Sequence, residues 1–220
     1  LVGVVTITGI TSKFSSFLLA MTGYSSMTTL LVVMLITLFL GLAMNGTSSY
    51  LITAVICAPI LIRQGYEPLG VHMFILFFAS MSSITPPVAL TSFTAASMAE
   101  ADPMKVSIQT MKMGFVAYLL PFTFIYNPAI LLYGSGWSTV ASVASAFAGV
   151  ALVAMAMERW WFGMRVNQLF RVLLLCAGAG LIIGTRPFVP ISAVIVAGGA
   201  LYRWIVKKAV ATAAAEEDAG

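Results

Sequence analysis

Two short runs of small and polar residues interrupt apolar stretches of this chain: Leu42-Ala43-Met44-Asn45-Gly46-Thr47-Ser48-Ser49 and Ser82-Ser83-Ile84-Thr85-Pro86-Pro87-Val88-Ala89-Leu90. Together they carry Asn45, Thr47, Ser48, Ser49, Ser82, Ser83 and Thr85, a set of neutral oxygen ligands. Pro86 and Pro87 remove two backbone donors and push the residues before them out of helical geometry, so carbonyls near Ser82 and Ser83 lose their helical partners. Neutral oxygens of this kind suit a desolvated monovalent cation such as sodium, because an uncharged cage costs little when empty. Helices restarting near Ser48 and Val88 would offer amides and partial positive charge to an anionic group. The alternative is that the hydroxyls bond their own helix backbone and the prolines only kink a span.

The surroundings narrow the chemistry further. No charged residue lies in 14–62, and between Glu67 and Glu100 the only ionisable side chain is His72, near the outer end of its segment and suited to an interfacial hydrogen bond. A proton-coupled carrier or a divalent-ion site calls for Asp, Glu or His at mid-membrane. There is no set of nucleophile, base and orienting acid and no phosphate-binding glycine loop, so neither an enzyme nor an ATP-driven pump is indicated. Cys57 and Cys176 sit in apolar runs without a CxxC or a His/Cys cluster, which points to packing rather than zinc or a disulfide. The many Met residues read as core filler.

These residues are set in a chain that is 60% hydrophobic and 8% charged, against roughly 25% charged in an ordinary soluble protein. The apolar runs are long and lack the strict alternation of a β-barrel, so the fold class is all-α integral membrane, a helical bundle with a re-entrant hairpin and a discontinuous helix. The net charge of +4 comes from residues at segment ends rather than from a stripe that could track phosphates, which excludes nucleic acid as a partner. The lipid bilayer is the obligatory environment.

Taken in order, residues 1–24 read as the end of a span whose beginning is missing, followed by an interfacial helix or linker at 11–24. The run 27–62 breaks at Asn45-Gly46, and at 1.5 Å per residue its arms (27–42 and 50–62) reach about 20–24 Å against a hydrocarbon core near 30 Å. A re-entrant hairpin fits those lengths better than one long kinked span. Arg63-Gln64-Gly65-Tyr66-Glu67-Pro68 is a stop-and-start turn, 71–100 is the helix broken at the prolines, and Asp102-Pro103 starts the next helix. A single span covers 106–133, with irregularities at Pro121 and Asn127-Pro128. The transport core is therefore 25–133, and 134–220 adds plain spans at 139–156, 167–185 and 188–206 before a tail.

Arg159, Arg165 and Arg171 lie two spans from Arg203, Lys207 and Lys208, so both clusters face one side. The positive-inside rule makes that side, and the C-terminus, cytoplasmic. Counting back puts the turn at 63–68 outside, and a hairpin that enters and leaves from the outer face closes the count.

With Gly41 preceding and Tyr50 following, the first run resembles the hairpin tip in the large membrane (permease) subunit of tripartite ATP-independent periplasmic (TRAP) transporters. The likeness is to the fused permeases served by TAXI-type binding proteins. The resemblance covers about 1–132 and rests also on Ala58-Pro59, Gly65, Pro68-Leu69, Ser83-Ile84-Thr85-Pro86-Pro87-Val88-Ala89-Leu90, Ala101-Asp102-Pro103-Met104-Lys105 and Tyr126-Asn127-Pro128-Ala129. It implies a bacterial inner-membrane, elevator-type secondary transporter in which sodium drives uptake of an organic acid delivered by a periplasmic binding protein. This chain would supply the second half of an inverted repeat, and the upstream part of the same transporter the first.

By that resemblance sodium falls to Met44, Gly46, Ser82, Ser83, Thr85 and Pro86, partly through backbone carbonyls, and the carboxylate substrate to Asn45, Thr47, Ser48, Ser49 and Val88. Sodium is the transported, coupling ion, and no organic cofactor is implied. Relatives carry Gly, Pro and Thr where this tip has Ala43, Asn45 and Gly46, so one family hydroxyl is missing and Ser48 or Asn45 stands in for it. The competing function is a non-transporting membrane scaffold or assembly subunit whose helix breaks are structural.

Overall fold

The computed structural model describes residues 9–23, 25–161, 164–165, 167–184, 190, 192–195 and 197–199. More than half of the expected span at 188–206, the tail with its basic cluster and nearly all of the span end at 1–10 lie outside the described residues. The protein is an all-α membrane protein, and its only described extended structure is a two-residue ladder pairing Trp160–Trp161 with Met164–Arg165. Two compact units divide it, Leu1–Val140 and Ala141–Gly220.

In the first unit, α1 (Ile10–Thr22) ends at Gly23, whose φ of 58° only glycine adopts freely. Then come α2 (Ser26–Ala43), α3 (Gly46–Arg63) and α4 (Pro68–Met81), the last continued by a 3₁₀ turn at Ser82–Ile84. After an irregular stretch follow α5 (Leu90–Met98), α6 (Pro103–Met113), α7 (Phe115–Tyr126) and a 3₁₀ turn at Pro128–Leu131. The helix starts follow local chemistry. Pro68 and Pro103 occupy first-turn positions that need no donor, and Asp102 Oδ1 accepts the Lys105 amide at 2.9 Å.

The arms α2 and α3 run antiparallel. Near the tip the Ser49 hydroxyl donates to Thr37 O (3.2 Å), and at the open end Gln64 Nε2 donates to Thr29 Oγ1 (3.0 Å). Both arms are longer than the sequence suggested. Each has 18 residues, about 27 Å at the helical rise, and each is long and apolar enough to cross a membrane. The shortfall in length that favoured re-entry is therefore absent. Apolar runs carry no internal mark of where a helix ends, and α3 begins at Gly46 itself rather than beyond the polar run.

The expected span at 106–133 is built from two helices, α6 and α7, which together are long and apolar enough to cross a membrane but are bent by 43° at Gly114, and α7 passes through Pro121 unbroken. Lys105, Gln109 and Lys112 make α6 the polar member of the pair.

α4 returns antiparallel to α3, with Tyr50 Oη and His72 Nδ1 3.1 Å apart, and α7 lies antiparallel to α4. Phe74 meets Phe78 and Phe122 edge-on at ring-centre distances of 4.9 and 5.3 Å, and Phe77 meets Phe124 at 5.2 Å. Such pairs contribute about 0.5–1.5 kcal/mol beyond area burial. In lipid, where apolar surface gains nothing from leaving water, packing of this kind holds helices together.

In the second unit α8 (Gly136–Met157), whose first turns belong to the first unit, and α9 (Gln168–Ile183) pack antiparallel. The Ser145 hydroxyl donates to Leu181 O (2.9 Å), and Arg171 Nε donates to Ala156 O (3.0 Å).

Candidate functional site

At the hairpin tip Met44 and Asn45 are extended, with φ of −148° and −66° and ψ of 170° and 157°. Asn45 Oδ1 accepts the Ser48 amide at 2.8 Å, so Asn45 is the N-cap of α3. The amides of Gly46 and Thr47 precede the intrahelical ladder and are left to other acceptors. Asn45 and Thr47 are exposed, Met44, Gly46 and Ser48 are half-buried, and Ser49 is fully buried with its hydroxyl committed to Thr37 O.

The second irregularity is densely tied to its own backbone. The Ser82 hydroxyl donates to Ala79 O (2.7 Å), Ser83 to Ser80 O (2.8 Å) and Thr85 to Met81 O (2.7 Å). Pro86 stands where Ser82 O would find its helical donor, and the Thr85 amide replaces it through a 3.2 Å 3₁₀ bond. The Ala89 amide reaches Thr85 O at 3.2 Å, and Ala89 itself has a φ of 27°. Pro87 likewise leaves the Ser83 carbonyl without an i+4 amide. Helix α5 starts at Leu90, so Val88, half-buried, precedes the restart by two residues. The positive end of that helix is at Leu90 and Thr91, not at Val88 as the sequence suggested.

These hydroxyls do bond backbone carbonyls, as the alternative supposed. A hydroxyl that donates its hydrogen still turns lone pairs outward. Bonding of this kind therefore orients Ser82, Ser83 and Thr85 oxygens as acceptors rather than using them up.

Tip and break meet. A Cβ on Gly41 would fall on the Ser82 side chain, and one on Gly46 would lie 3.3 Å from Ala79 O and 3.8 Å from Ser80 Cα. The tip thus seats against the last turn of α4 and the start of its 3₁₀ continuation, bringing Met44 and Gly46 to the level of Ser82. On another side of the break Thr85 Oγ1 lies 2.6 Å from Tyr118 Oη, and Gly114 faces Ile84 Cδ1. Three irregularities, the tip, the broken end of α4 and the bend at Gly114, therefore gather at one end of the bundle. The opposite end holds Met27, Gln64, Tyr66 and Tyr126.

Gly41, Gly114 and Tyr118 are additions that the sequence alone does not single out. Gly41 enters the tip pattern only as a flank, and a lone glycine and a lone tyrosine in apolar runs give no signal of the residue they face. Among the described residues no three His, Cys, Asp or Glu side chains cluster. His72 is engaged with Tyr50.

A family model described as "Tripartite ATP-independent periplasmic transporter, DctM component" matches residues 1–139. That stretch and the first compact unit, Leu1–Val140, end within one residue of each other, and it contains the tip, the break and the bend. No curated protein and no solved structure matches the chain.

Proposed function

This chain belongs to the family of DctM components of tripartite ATP-independent periplasmic transporters, and we propose that it couples sodium entry to uptake of an organic acid at the meeting of tip and broken helix. The observation that carries this reading is the seating of Gly41 and Gly46 on residues 79–82, which joins two sets of neutral oxygens borne by stretches, 14–62 and 68–99, without Asp, Glu, Lys or Arg. Sodium goes to the oxygens of Met44, Gly46, Ser82, Ser83, Thr85 and Pro86. The carboxylate goes to the first amides of α3 beside Asn45, Thr47, Ser48 and Ser49, and to the start of α5 just after Val88.

In the same reading the hairpin is re-entrant from the outer face, and the unit moves as an elevator against the upstream part of the transporter. A periplasmic binding protein of the TAXI type delivers the acid, and the C-terminus is cytoplasmic. Two full crossings by α2 and α3 would return the chain to the same side, so charge placement is indifferent to this choice. Accessibility of the tip distinguishes the two.

The complete transporter in liposomes, with its binding protein and a panel of labelled mono- and dicarboxylates, is expected to accumulate substrate with an inward sodium gradient and not with potassium. Equal uptake driven by a pH gradient without sodium would sink the coupling. The scaffold reading draws on the backbone bonding of the Ser82, Ser83 and Thr85 hydroxyls. It predicts no response of the tip to sodium at all.

A further inference from the structure

We propose that Tyr118 is a positioning residue that sets the affinity of the broken helix for its cation, an inference that rests on the sodium reading above. Thr85 is the last residue before the two prolines, and its hydroxyl has two neighbours: Met81 O at 2.7 Å, to which it donates, and Tyr118 Oη at 2.6 Å. With the Thr85 hydrogen committed to Met81 O, the phenol is the donor in the second bond. The Thr85 oxygen is then held from two sides and keeps one lone pair for another partner. Every other tie on Thr85 comes from within the break: its amide donates to Ser82 O at 3.2 Å, and residues 86 and 87 cannot donate. The Thr85 carbonyl is fixed only by the Ala89 amide at 3.2 Å.

Tyr118 is thus the tie from outside the break that fixes the orientation of Thr85. It stands one turn after Gly114, where α7 leaves α6 at 43° and where a Cβ would touch Ile84 Cδ1 at 3.3 Å. The phenol therefore connects the broken helix to α7 beyond the bend, so any shift of α7 reaches Thr85 through one short bond. Without the phenol Thr85 samples further orientations, and the cation must select one of them at a cost in affinity.

The test uses the complete transporter in liposomes, in a background where maleimide reacts only at Thr47→Cys on the exposed side of the tip. Labelling is followed against sodium chloride, with potassium chloride balancing ionic strength. The midpoint of sodium protection is expected to rise about three- to tenfold in Tyr118→Phe, the loss of one hydrogen bond, with unchanged maximal protection. Combined with Thr85→Val, which already lacks the partner hydroxyl, Tyr118→Phe is expected to add no further shift. An unchanged midpoint, a reduced plateau at an unchanged midpoint, or additive shifts in the double variant would each overturn the proposal. A reporter that ignores sodium before Tyr118 is altered removes the sodium reading itself, and this proposal with it.

Discussion

Two helical hairpins in this chain, α2–α3 and α8–α9, use glycine for close approach, but the glycines meet different things. In the second, Gly149 and Gly178 face each other. A Cβ on Gly149 would lie 2.7 Å from Gly178 O, and one on Gly178 would lie 2.8 Å from Gly149 O and 2.6 Å from Val153 Cγ2. In the first, Gly41 and Gly46 face not each other but the end of α4. They meet the Ser82 side chain and Ala79 O, where α4 is about to lose its regularity. Close approach in α8–α9 gives helix-to-helix adhesion, the ordinary use of small residues in lipid. The same device at the tip of α2–α3 sets hydroxyls and unpaired amides against a broken helix. Small residues at an interface do not by themselves mark a site; the polar content of the surface they approach does.

The sharpest way to break this comparison is to overfill the two contacts. Gly41→Leu drives a side chain into Ser82, a clash worth about 1–3 kcal/mol or more if the tip cannot retreat. Sodium-driven uptake by the complete transporter is expected to fall by at least about tenfold. Uptake at the original rate would mean that the tip does not rest on residues 79–82 during transport. Gly178→Leu makes a similar clash between α8 and α9. It is expected to lower the melting temperature of the purified transporter while leaving the sodium concentration for half-maximal uptake unchanged. A shifted sodium dependence in Gly178→Leu would erase the distinction between adhesive and functional glycine contacts.

Much of this contrast is legible in the amino-acid sequence. Asn45-Gly46 and Pro86-Pro87 are local signals, a cap with a turn and a pair of missing donors, and both act on the nearest few residues whatever surrounds them. The stops and starts at Gly65, Pro68 and Asp102-Pro103 belong to the same class. The rest depends on contacts between distant residues. Sequence underestimates the lengths of α2 and α3 because a uniformly apolar run does not mark where a helix continues. Of the irregularities expected in 106–133, Asn127-Pro128 does end α7, but Pro121 is carried inside it, and the bend falls at Gly114, which ends α6 and packs against Ile84. Thr85 and Tyr118 are 33 residues apart, and no spacing rule joins them.

The mildest perturbation tests what Asn45 contributes to the tip. Its Oδ1 caps the Ser48 amide, so Asn45→Ala costs about 1 kcal/mol of helix stability, and the melting temperature should drop slightly. Asn45→Asp keeps an oxygen in the same place and restores the cap, so stability should return to that of the unaltered protein. The new negative charge sits where the first amides of α3 meet a carboxylate and beside the oxygens assigned to sodium. Its effects on the two ligands should therefore oppose: the substrate concentration for half-maximal uptake rises and that for sodium falls, each by a few-fold where water screens the exposed tip. Asn45→Ala should move neither by as much. If Asp shifts both constants in the same direction, the tip does not hold cation and anion together. If it shifts neither, Asn45 is only a cap, and the working polar groups of the first hairpin lie deeper, at Gly46 and along the seat on Ser82.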